Sequence, residues 1–168
     1  MPEKKHYPLI IIFNIILFSA VLIIHSVDVI DISIKNATPF LILPLLTAFS
    51  FYHSFALSAV TGFLCGAFID SVASGSYCFN SLTLMLIAAA VSLLSDTLFN
   101  KNIFAAAVLS LVMSAMYFLL LWVFFHAVNR SLQESLWYLL GYGLPSAVYS
   151  AVFIIPLFYL YRFLENKK

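Results

Sequence analysis

IFAAAVLSLVMSAMYFLLLWVFF, from Ile103 to Phe125, runs for 23 residues without a charge, a glycine or a proline. At 1.5 Å per residue a helix of that length reaches about 35 Å, enough to cross a hydrocarbon core of about 30 Å. The remainder of the chain has the same character. Of its 168 residues 64% are hydrophobic and 17% aromatic, only 9% are charged, and the mean hydropathy is +1.06. A soluble domain carries roughly a quarter charged residues, so this chain has too few polar side chains to cover a surface facing water. It also has too much apolar area to remain disordered. The expected fold is therefore an all-α integral membrane protein. At about 20 apolar residues per crossing, the length leaves no room beside six spans for a separate soluble domain.

Working outward from that stretch, turn signals and polar interruptions divide the chain into spans at 8–27, 38–52, 54–72, 79–99, 103–125 and 145–164. Lys4 and Lys5 ahead of the first run resemble a signal peptide, but the apolar run reaches Val27 with no small-x-small cleavage site, so a retained span is expected. Thr38 and Pro39 suit the start of the second helix. Ser131 and Glu134 have capping-box spacing ahead of Trp137 and Tyr138, which predicts an interfacial helix over 132–143. Gly141, Gly143 and Pro145 should then break the chain, and Pro156 should kink the last span.

The stretch from Ala37 to Val72 is long for one crossing and short for two, and the basic residues arbitrate. Two crossings put Lys4, Lys5, Lys101, Arg162, Lys167 and Lys168 on the cytoplasmic side and Lys35 and Arg130 outside, a split of 6 to 2, whereas one crossing gives 3 to 5. The positive-inside rule thus predicts six spans with both termini cytoplasmic. A re-entrant hairpin in place of the second and third spans would keep the same sidedness.

Several function classes lose support here. The net charge is +1 and no basic run is present to neutralise a series of phosphates, so no nucleic-acid partner is expected. Cys65 and Cys78 form no CxxC pair, and the four histidines show no HExxH spacing. Neither a metal nor another cofactor is expected. Asp70 and Asp96 fall near opposite faces of the predicted topology, too far apart to share a proton as a catalytic dyad would. Asp96 beside Lys101 reads as an interfacial ion pair, and Asn14 as interhelical glue.

The informative polar residue is Asp70, because an intramembrane carboxylate is costly unless it meets protein or water. Gly62, Gly66 and Asp70 recur at four-residue intervals, and each step turns about 40° around a helix, so the three share one stripe. GFLCG is a GxxxG motif that lets helix backbones approach closely. Two roles are open to Asp70: anchoring a buried network or partner contact, or sitting hydrated at the membrane edge.

TGFLCGAFIDSVASGS, Thr61 to Ser76, resembles the glycine and aspartate segment of the rod shape-determining protein MreD family, whose G-x-x-x-G-x-x-x-D-x-x-x-x-G pattern is met by Gly62, Gly66, Asp70 and Gly75. LPSAVYSAVFIIPLFYLYRFL, Leu144 to Leu164, resembles the last helix of that family, with Pro145, Tyr149 and Pro156 in corresponding places. Two departures stand out: a glutamine common near the end of the first helix is missing, with His25 nearby, and an asparagine frequent in the last helix is Ser150. The resemblance implies a six-span bundle like that of transporter S components, in the bacterial cytoplasmic membrane. It also implies a non-enzymatic subunit of the cell-elongation machinery that binds the bitopic protein MreC and works with RodA, a transpeptidase and MreB. Gly62, Gly66, Asp70, Gly75, Pro145 and Tyr149 are the candidate packing or partner-contact residues. The alternative is a substrate-binding S component of an energy-coupling-factor vitamin transporter, although span one, PLIIIFNIILFSAVLIIHSV, has no A-x-x-x-A docking patch.

Overall fold

A computed structural model describes residues 7–26, 39–72, 78–97, 102–127 and 137–165. Among these residues there is no strand. The helices are α1 (Tyr7–Ser26), α2 (Ile42–Ser50), α3 (Phe55–Val72), α4 (Phe79–Thr97), α5 (Ile103–Leu121), α6 (Leu144–Val152) and α7 (Ile154–Glu165). A wide π turn, Trp122–Ala127, prolongs α5, and another, Leu139–Gly143, leads into α6. Three helical runs, 55–72, 103–125 and 139–164, are long and apolar enough to cross a membrane, with shorter apolar helices beside them.

The bundle is organised around α2, which has nine residues, all of them buried, and touches every other helix. Its length is about 14 Å, roughly half a hydrocarbon core. A helix with no polar face can be enclosed only if it is surrounded on every side, and ILPLLTAFS meets that condition. Thr47 removes its own polarity by donating to the Leu43 carbonyl at 2.8 Å. The amide that precedes α2 is satisfied from outside the helix, since the Phe40 N–H donates to Ser150 Oγ at 2.8 Å.

Cross-helix bonds fix the relative directions of the helices. At one end Tyr161 donates to Asn14 Oδ1 at 2.7 Å, and Ser92 on α4 donates to the carbonyl of His53, in the turn between α2 and α3, at 2.9 Å. At the other end Asp70 reaches the start of α4, Tyr117 on α5 reaches Asn80, and Phe40 reaches Ser150 on α6. Helices α1 to α6 therefore alternate in direction, α7 continues the course of α6, and α1 starts at the end of the bundle where α7 finishes. Asn14 is interhelical glue, buried together with its tyrosine partner. The His53 end is closed by aromatic rings: His53 stacks on Phe49 at 4.0 Å, and Phe49 meets Phe18 and Tyr161 edge-on.

Two expectations about the last span are revised. Gly141, Gly143 and Pro145 do not break the chain, because the helix runs on through them from 139 to 164. The π turn makes this possible: the Leu144 N–H bonds to Leu139 O, five residues back, a local adjustment that accommodates a proline in a membrane helix. The break associated with Pro156 lies three residues earlier, at Phe153, whose N–H bonds to Ser150 O at 3.1 Å. Proline has no N–H for the carbonyl four residues back and its ring crowds that carbonyl, so the strain falls on the turn before it. The segment 131–136, with the capping-box residues Ser131 and Glu134, lies outside the described residues, as do Lys35, Lys101 and Arg130. Of the predicted interfacial helix the structure describes only 137–143, and Trp137 there is strongly exposed.

Small residues line the buried sides of α5 and α6: Ala106, Ser110 and Ser114 on one, Ser146, Ala147 and Ser150 on the other. The hydroxyls of Ser110 and Ser114 are buried without a hydrogen-bond partner. An unsatisfied buried hydroxyl costs about 1–3 kcal/mol, and alanine fills nearly the same space while favouring helix. Ser114→Ala is accordingly expected to raise the melting temperature of the detergent-purified protein, whereas Ser150→Ala should lower it by stranding the Phe40 N–H. Equal shifts from the two substitutions in a thermal melt would contradict this distinction.

Candidate functional site

The most extensive helix pair is α3 with α4, and it is built on the predicted stripe. A Cβ added to Gly62 would lie 2.5 Å from the Leu84 carbonyl oxygen and 2.9 Å from Ala88 Cβ. One added to Gly66 would lie 2.5 Å from Ser81 Cα and from the Asn80 carbonyl carbon. Most of these neighbours are backbone atoms, so no rotamer change relieves them. In lipid, where apolar tails solvate helices as well as other helices do, such close approach supplies the dispersion contacts that hold a pair together. Gly62 and Gly66 thus face the interior of this chain.

The same stripe delivers Asp70 to the first turn of α4. Its Oδ1 accepts from the Asn80 backbone N–H at 3.2 Å and from Asn80 Nδ2 at 2.9 Å. Its Oδ2 accepts from the Ser81 N–H at 2.8 Å and from the Ser81 hydroxyl at 2.5 Å. The amides of the second and third residues of a helix are those that a side chain at the preceding cap position ordinarily satisfies. Here Cys78 holds that position with φ 61°, a left-handed conformation costing roughly 1–2 kcal/mol for a residue with a Cβ. The aspartate of the neighbouring helix supplies the cap instead. It also places a negative charge against the positive end of the α4 dipole. Asp70 is part-buried and held by four donors.

From Asp70 the polar contacts extend across the bundle. Tyr117 on α5 donates to Asn80 Oδ1 at 2.7 Å, and its ring stacks on Phe40 at 4.8 Å and 14°. Phe40 in turn donates to Ser150, which donates to Ser146 O at 2.7 Å. Five segments are thereby tied at one level: α3, α4, α5, the entry to α2, and α6. Asn80, Ser81, Tyr117 and Phe40 were not among the residues singled out from sequence. Polar Asn80 and Ser81 just after a chain break are a helix-start signal, but nothing in the sequence names Asp70 as their acceptor. The Ser150 hydroxyl thus both accepts, from the Phe40 N–H, and donates, to Ser146 O.

The profile of the rod shape-determining protein MreD matches residues 3–167. The chain belongs to the MreD family. It is accordingly a rod shape-determining membrane protein, from a family of structural membrane proteins rather than enzymes. Comparison with curated proteins and with solved structures found no match.

The remaining candidates in this MreD-family protein lie elsewhere. Gly75 falls outside the described residues. Pro145 is exposed, and Tyr149 is half-buried with its ring against Phe153 at 5.6 Å. Both belong to the outer side of α6, and the structure does not bring them to the Asp70 cluster. Cys65 is buried and Cys78 exposed, each as a free thiol. Among the described residues no three His, Cys, Asp or Glu side chains gather as a metal site. The side chain of Asp96 and all of Lys101 lie outside what is described, and with them the expected ion pair.

Proposed function

We propose that this protein is a non-enzymatic subunit of the cell-elongation complex in the bacterial cytoplasmic membrane. It binds an MreC-like bitopic partner and supports peptidoglycan synthesis with RodA, a transpeptidase and MreB. The observation that carries this reading is the family match over residues 3–167. Its physical support is that the conspicuous polar groups are spent inside the chain, on caps and interhelical bonds, while the outward surfaces of α1, α3, α5 and α6 are apolar, with Ile16, Leu64, Val112 and Val148 all exposed. Recognition then falls to lipid-embedded faces that fit another transmembrane helix.

Depletion in a rod-shaped host should produce round cells, and the detergent-purified protein should bring down an MreC-like partner. Tight vitamin binding with a copurifying transporter coupling subunit, and no MreC-like partner, would replace this reading with the S-component alternative.

The sidedness proposed is that of the 6 to 2 charge split, with both termini cytoplasmic and the Asp70 end outward. A cysteine introduced at Lys101 should resist an impermeant thiol reagent added to intact cells whose Cys78 has been replaced. Labelling there would reverse the topology.

A further inference from the structure

We draw no further inference here: the strongest candidate, the outer face of α6 where Gly141 opens onto empty space one turn before exposed Pro145, is an unpartnered apolar face and nothing in the structure shows what covers it.

Discussion

Gly66→Ala is expected to lower the yield and melting temperature of the folded protein, and Gly66→Leu to abolish folding. One methyl group at this position meets the backbone of Asn80 and Ser81, so α3 and α4 must separate along their most extensive contact. Overpacking of this kind costs about 1–3 kcal/mol for small insertions and more when the obstacle cannot change rotamer. Gly62→Ala should behave similarly, against Leu84 O and Ala88. Gly141 provides the internal comparison, because nothing lies within 4 Å of a Cβ built there. Gly141→Ala should retain only the helix-propensity gain of up to about 1 kcal/mol. Thermal melts monitored by size-exclusion chromatography rank the variants, and indistinguishable values at 62, 66 and 141 would show that close approach does not hold α3 on α4.

Asp70→Leu should be comparably damaging by a different route. Four donors on Asn80 and Ser81 lose their acceptor at once, and the first turn of α4 loses its cap and the charge opposite its dipole. Hydrogen bonds to a charged group are worth about 1.5–3 kcal/mol, and the donors left behind are only partly able to turn to water. Asp70→Asn keeps the shape but offers one acceptor oxygen where the carboxylate offers two, and its NH₂ group confronts donors. It should therefore fall between wild type and leucine in both melting temperature and rescue of rod shape. Wild-type stability of Asp70→Leu would mean that the cap contributes nothing and that the hydrated role weighed from sequence is the correct one.

Much of this fold was legible in the residues themselves. Long uncharged runs, scarce charge and turn signals indicate membrane-crossing helices, because the bilayer sets the length and permits few unpaired polar groups. The spacing of Gly62, Gly66 and Asp70 marks one face of α3 from helix geometry alone, and the GxxxG pattern and its neighbours point to the family. What hydropathy could not express is which apolar face meets protein and which meets lipid, since both surroundings are equally apolar and amphipathic contrast disappears. For that reason ILPLLTAFS reads like any span, and only the packed bundle makes it the enclosed centre that every other helix touches. The partner of Asp70 was hidden for a related reason. A cap supplied from another helix depends on the distance between two chains of backbone, and that distance is decided where the glycines of α3 admit α4.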